Sequence, residues 1–285
     1  MTFRNLMELG ISTGIFHEKN LLELLPHLRR AGFTTLEIWA STEVRNGERA
    51  HFDWKNRDSI AALSQKLAEL GMKAHSMHAP FSNEVDVSSL DEHRRAAAVR
   101  ETVLAMEALK LLGGQILVAH PASTESYQHE KAHRFAQSRK SILEIAAFAR
   151  EMEITLAVEN QLPHILGGDV PTLLALIEGL ERPRAGLCFD TSHANLYGHQ
   201  SVDQTYKQIA DRVIALHVSD NRGKHDDHLI PGEGSINWPA FIHALDMEHY
   251  PGVFTLEVIA ASQQAAPGEL LQNLHEKIKP TIPSP

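Results

Sequence analysis

The feature that most constrains the fold of this sequence is an alternation. Eight short, β-rich apolar runs recur along it: MELGISTGIF, TLEIWA, KAHSMHAPF, QILVAHPA, ITLAVEN, AGLCFD, RVIALHV and VFTLEV. Between them lie stretches with helical periodicity. RDSIAALSQKLAELG repeats apolar residues at three and four and stops at Gly71, a C-cap signal. SLDEHRRAAAVRETVLAMEALKLLGG, AHRFAQSRKSILEIAAFAREM and VPTLLALIEGL follow, and NWPAFIHALDM sets Asn before its apolar run and Pro in its first turn. The starts lie roughly 25–40 residues apart, the length of a strand–helix unit with its loops. The runs are nearly continuous in apolar character, as in strands of a parallel sheet covered by helices. Eight such units in 285 residues predict an α/β fold, a closed (β/α)8 TIM barrel in a single domain over residues 1–285. A doubly wound sheet fits less well, because FHEKN follows the first run where that fold carries a glycine-rich phosphate turn.

Composition narrows the function classes. No stretch approaches the roughly 18 consecutive apolar residues of a membrane helix, and the N-terminal MTFRNLMELGISTGIF has no signal-peptide pattern. One cysteine, Cys188, excludes an internal disulfide framework and points to a reducing, cytoplasmic setting. A net charge of −9 disfavours nucleic acid as a partner. The 18 histidines matter more, since imidazole is the commonest metal ligand and the usual acid or base near neutral pH. His27, His93, His133 and His275 sit in helix-like segments and carry no functional assignment.

Barrel active sites form where the strands end. The runs end in SMHAP (His78), LVAHP (His120), LAVEN (Glu159), LCFDTSH (Asp190, His193), IALHV (His217) and TLEV (Glu257), and the loop HDDHLIPGEG after the seventh run adds Asp226 and His228. Each has an ordinary reading taken alone: a histidine satisfied by a hydrogen bond, a solvated glutamate, or, for Asp190, a helix cap. That reading weakens when it must hold at six consecutive strand ends, because ionisable groups are rarely buried unpaired. Converging carboxylates and imidazoles call for a cation, and this donor set without thiolate suits Zn, Mn, Fe or Co. Asp226 and His228, two apart, would share a face in an extended segment, with His225 and Asp227 toward solvent. Cys188 is expected in the core.

With those residues in view, the chain resembles the xylose-isomerase-like TIM-barrel superfamily over essentially its whole length, most specifically in LAVEN, FDTSHA, LHVSDN, DDHLIPGEGSINW and TLEV. That superfamily includes the sugar-phosphate isomerase/epimerase group, with inosose dehydratases and ketose 3-epimerases, and the endonuclease IV group of abasic-site nucleases. The resemblance implies that Glu159, Asp190, His217 and Glu257 hold a divalent metal, as in the isomerases. It further implies that His78, His120, His193, Asp226 and His228 extend the set toward the three-zinc site of the nucleases. One to three ions per chain, zinc or manganese, follow from it. After Glu159, ENQLPHILGGDVPTL departs from the nuclease pattern and is similar to the isomerase group. The loop STEVRNGERAHFDWKNR mixes four basic residues with three acidic ones, unlike a DNA-gripping loop.

The implied activity is a metal-dependent isomerase, epimerase or related dehydratase acting on a small sugar, sugar phosphate or polyol through an enediolate. Glu159 and Glu257 would be the acid/base pair. His193 and Arg222 would hold substrate oxygens, and Glu37 and Trp39 would line the wall, the Trp against a sugar face. The alternative is an endonuclease IV-like multi-zinc phosphodiesterase. A barrel of this kind can also pair through its outer helices, so a homo-oligomer is compatible with the sequence.

Overall fold

The structure, a computed structural model, describes residues 8–125, 128–261, 263 and 265–278. Both ends of the expected 1–285 domain, Met7 of the first run, and the side chain of His275 lie outside the described residues.

All eight apolar runs form barrel strands. They are β1 (Leu9–Ser12), β2 (Thr35–Trp39), β5 (Lys73–His78), β6 (Ile116–Ala119), β7 (Thr155–Glu159), β8 (Ala185–Asp190), β9 (Val213–Val218) and β10 (Phe254–Leu256). They close in the order β1-β10-β9-β8-β7-β6-β5-β2, every neighbouring pair parallel. The fold is therefore the expected (β/α)8 TIM barrel. A small antiparallel hairpin, β3 (Val44–Arg45) with β4 (Glu48–Arg49), interrupts the chain after β2 and was not foreseen in the sequence.

The expected helices form: α2 (Arg57–Leu70), α3 (Glu92–Leu111), α4 (Lys131–Met152), α5 (Val170–Leu176) and α8 (Trp238–Met247). Asn56 caps α2 by accepting from the Asp58 and Ser59 amides, and Gly71 ends it at φ 60°, a left-handed residue that lacks a Cβ to clash. Asn237 accepts from the Ala240 amide at the start of α8. α3 begins later than its apolar run, because the Asp91 side chain takes the His93 and Arg94 amides. Helices α1 (Leu21–Arg30), α6 (Thr191–Asn195), α7 (Val202–Ile209) and α9 (Pro267–Ile278) complete the order. Pro26 within α1 is a helix breaker by sequence.

The core has two layers. The larger lies between strands and helices, around Leu36, Leu63, Met77, Leu117, Leu187 and Leu216. Inside the barrel the packing is small: Val118, Ala157, Cys188 and Ala215. Cys188 is thus a core residue, as the sequence suggests. Small interior side chains leave room above them for the polar groups that converge there.

Two irregularities set the register of those groups. Between β2 and β5 the pairing jumps from Leu36↔Ala74 to Glu37↔Ser76, so His75 is an extra residue. Between β8 and β9 it jumps from Leu187↔Val213 to Cys188↔Ala215, and Ile214 is extra. A bulge re-aims the side chains that follow it. As a result Trp39 lies beside His78, and Asp190 beside His217.

Candidate active site

The ends of β2, β5, β7, β8, β9 and β10 deliver Glu37, His78, Glu159, Asp190, His217 and Glu257 to one buried cluster, each at most 5% exposed. Glu257 directly follows β10, and His120 directly follows β6. His217 stands at the centre. Its Nδ1 lies 2.9 Å from Glu159 Oε1 and 3.2 Å from Glu257 Oε2, and its Nε2 lies 3.0–3.1 Å from the two oxygens of Glu37. The second oxygen of Glu159 meets His78 Nε2 at 3.2 Å and His120 Nε2 at 3.1 Å.

Asp190 serves as the helix cap considered for it. One oxygen caps α6 by accepting the His193 amide at 2.7 Å. The other, Oδ2, is buried without a hydrogen-bond partner among the described residues. The Asn160 side chain fixes this strand end by accepting the Asp190 amide at 2.7 Å and donating to its carbonyl at 3.1 Å. His193 Nδ1 is 2.7 Å from the Asn160 carbonyl, and its Nε2 is 3.4 Å from Asp226 Oδ2.

The loop after β9 closes the site from above. His228 Nε2 lies 3.0 Å from Asp226 Oδ2, so the two do converge. The segment is not extended, however: His228 has φ 45° in the left-handed region. The arm is shaped by Asp220, whose carboxylate accepts the amides of Gly232, Ser235 and Ile236 and the Trp238 indole N–H. Leu229 also pairs with Asp220 through its backbone. This turn replaces the regular alternation that an extended chain would have. His225 is exposed and Asp227 half-buried.

The charges set one another. Burial pushes Glu257 up, but the charge and hydrogen bond of His217 outweigh it and hold the carboxyl at about 2. Glu159 also stays well below the usual range: burial opposes this, and His217 and His120 override it. Asp190 moves the other way, to about 7, because burial and the neighbouring carboxylates exceed the pull of His193. Burial disfavours charge on His228, yet Asp226 and Glu257 raise it to about 9. His193 and His217 are likewise raised, against burial, by the acids around them. His120 is lowered, since its burial outweighs Glu159. His193, His217 and His228 thus favour the protonated form beside the carboxylates of this pocket.

A divalent metal fits in place of those protons. Ligand atoms of His78, Glu159, His217 and Glu257 lie within 4.8 Å of one another, as do those of Glu159, Asp190 and His193, and those of His193, Asp226 and His228. Asp190, whose Oδ2 is buried and unpartnered among the described residues, belongs to the middle group, where a cation would relieve a buried carboxylate. Donors are carboxylates and imidazoles only, because burial keeps the Cys188 thiol protonated.

Beside the cluster lies a cavity of about 150 Å³ whose lining includes the polar Glu159, His193, Asp226, His228 and Glu257. The apolar Trp39, Phe81, Leu162 and Ile165 also line it. Trp39 lines the cavity and lies tilted against His78, ring centroids 4.6 Å apart. Glu37 is not among the lining residues: it is buried, with its carboxylate against His217 Nε2. Arg222 is exposed in the loop, and among the described residues only its backbone amide engages, with Asp227 Oδ2 at 3.4 Å. Phe81, Gln161, Leu162 and Ile165 line the cavity without a signal in the sequence, since nothing distinguishes them from ordinary loop residues before the chain is folded.

Fold and site together define a (β/α)8 barrel with a buried carboxylate–imidazole centre at the C-terminal ends of its strands. The chain belongs to the xylose isomerase-like TIM barrel family, which matches residues 25–279. It is 28% identical over 257 residues to the uncharacterized protein MJ1311 of Methanocaldococcus jannaschii, covering 88% of this chain and 83% of that protein. It is 25% identical over 254 residues to the ketose 3-epimerase of Arthrobacter globiformis, covering 88% and 81% respectively. The crystal structure of the IolI protein with a zinc atom shares the fold, with a TM-score of 0.79 at 20% identity over 96% of this chain and 98% of that one.

Proposed function

We propose that this protein is a metal-dependent isomerase or epimerase of a small polyhydroxy carbonyl compound, with Glu159 and Glu257 as its proton carriers. One observation carries the reading: these two carboxylates flank the same His217 nitrogen, at 2.9 and 3.2 Å, and both line one small cavity. The ketose 3-epimerase relative supports a sugar substrate, and the zinc atom of the IolI structure supports a metal.

Glu159, Asp190, His217 and Glu257 would hold the ion, zinc or manganese by donor type. When bound, it supplies Lewis acidity to a substrate carbonyl and the hydroxyl beside it. The chain's own residues do the rest. One carboxylate removes the proton α to the carbonyl, leaving an enediolate, and the other returns a proton to the opposite face for epimerisation or to the neighbouring carbon for isomerisation. The two are not equivalent. Both oxygens of Glu159 are held by imidazoles, whereas among the described residues the Glu257 carboxylate has one ion-pair contact, Oε2 to His217 Nδ1. Glu257 is accordingly the more mobile proton carrier. His193 and His228 stand on the cavity wall within reach of substrate hydroxyls, and Trp39 and Phe81 cover the carbon face and exclude water.

The test is solvent deuterium incorporation into candidate ketoses by metal-loaded protein. Exchange that is lost in Glu257→Gln supports the reading, and exchange that survives the change removes Glu257 from the proton path.

A second reading, multi-metal phosphodiester hydrolysis, is favoured by the His193–Asp226–His228 group. Against it, Arg45 and Arg49 of the β3–β4 hairpin are engaged by Glu18 and Glu43 and by Asp53 and Glu101, so these guanidiniums are already paired with carboxylates. Cleavage of an abasic-site duplex by metal-loaded protein would restore it.

A further inference from the structure

We infer that Glu37 is a positioning residue that fixes the tautomer of His217, so that the His217 nitrogen facing Glu159 and Glu257 is free to ligate a metal. The inference rests on the metal-site part of the proposed function and not on the identity of the substrate.

An imidazole that ligates through one nitrogen carries its proton on the other, and the partner of that N–H decides which nitrogen is free. In this structure the two nitrogens of His217 have different company. Nδ1 faces the oxygens of Glu159 and Glu257, both of the candidate ligand set. Nε2 faces Glu37, 3.0 Å from Oε1 and 3.1 Å from Oε2, with the hydrogen bond directed at Oε2. Glu37 has no other access to the chemistry: it is 1% exposed and absent from the cavity lining.

The position of Glu37 is itself fixed. Ser76 Oγ donates to the same oxygen, Oε2, at 3.0 Å. That contact exists because the extra residue His75 brings Ser76, rather than His75, opposite Glu37. Among the described residues Glu37 Oε1 has no hydrogen-bond partner, so no described group draws the carboxylate away from His217. Ser76, Glu37 and His217 thus form a buried chain from β5 through β2 to β9, ending at the nitrogen that the ligand set requires.

The experiment measures Zn²⁺ binding by competition with a chelator, together with the imidazole ¹⁵N and N–H signals of histidine-labelled protein. The wild type is expected to show a protected Nε2–H on His217 in the zinc-loaded state, assigned by its absence in His217→Gln. Glu37→Gln is expected to lose that protection and about 10- to 100-fold in zinc affinity, the usual cost of removing such a partner. If Glu37→Gln does not fold, Ser76→Ala keeps the carboxylate but frees it, and about a threefold loss of affinity is expected, less than the full value of a hydrogen bond to a carboxylate because Glu37 itself remains. Unchanged zinc affinity in the variant that folds, or a zinc-loaded wild type with the proton on Nδ1, would overturn the inference. Zinc loss in Glu37→Gln alongside a wild type that exchanges no ketose proton would sink the epimerase reading and leave the inference standing.

Discussion

His217 Nδ1 lies 2.9 Å from Glu159 Oε1, and both residues are shielded from solvent at the centre of the barrel mouth. A buried ionised pair of this kind depends on each partner, because removing one leaves the other charge uncompensated. Every other group of the candidate site reaches this pair within one or two contacts. Its electrostatics therefore govern how the site responds to mutation, pH and metal.

Glu159→Gln is expected to abolish measurable metal retention and to lower turnover by about 10²- to 10⁴-fold, the scale of a lost acid/base group. Glu257→Gln is expected to lower turnover on the same scale with a smaller effect on metal content, since among the described residues its carboxylate contacts one imidazole, His217, where Glu159 contacts several. Metal analysis of the purified variants beside their kcat values separates the two. Equal metal loss in both variants would contradict the asymmetry.

The metal-free protein should lose stability as pH rises from about 4 to about 9. Asp190 is raised to about 7, so the folded state holds its proton more tightly than the unfolded chain, and that contribution fades between the ordinary carboxyl range and 7. His228 is raised to about 9, and its contribution is complete below the unfolded value near 6.5 and lost through 9. The lowered carboxyls, Glu159 and Glu257, act oppositely, but their effect is complete above the ordinary carboxyl range. Thermal melts across this range, with chelator and with excess Zn²⁺, provide the check. A bound cation replaces the protons, so the decline should flatten with zinc; a decline of equal slope in both would count against metal at these residues.

Zinc binding should release protons and tighten as pH rises through 7, because the imidazolium forms of His193 and His217 and the protonated Asp190 must give way to ligands. Calorimetry in two buffers of different ionisation enthalpy reads the number released. No buffer dependence at pH 7 would mean that these groups do not bind the ion.

Gly234 marks the tightest point of the arm that carries Asp226 and His228. A Cβ there would stand 2.2 Å from Asp220 Oδ1 and 2.3 Å from the Asn221 carbonyl. Gly234→Ala must displace the carboxylate that gathers the Gly232, Ser235, Ile236 and Trp238 donors. A cost of about 1–3 kcal/mol is expected from the stranded donors, together with weaker zinc binding. Denaturant melts measure the first and chelator competition the second.

Arg222→Ala should leave kcat/KM within about twofold, because surface substitutions away from packed features have small effects and the side chain is exposed. A larger loss in steady-state kinetics would mean that the loop folds inward over bound substrate and would restore Arg222 as a substrate-binding residue.

Much of this was legible before folding. The spacing of eight apolar runs determined the barrel, since each run is long enough for one strand and each interval long enough for one covering helix. The strand-end positions of His78, Glu159, Asp190 and His217 followed from that alone, because a barrel gathers the ends of its strands at one mouth. Three things were decided only by the tertiary structure. The extra residues His75 and Ile214 set which side chains stand side by side, and no local pattern marks them. The left-handed His228 let Asp226 and His228 converge without an extended segment, because Asp220 imposes the turn from a distance in sequence. Glu37 went against His217 Nε2 and Arg222 went to solvent, although both lie close to strand ends in the chain. Periodicity fixes which face of a strand a residue occupies. Depth within the barrel depends on registers between strands, and those form only when the sheet closes.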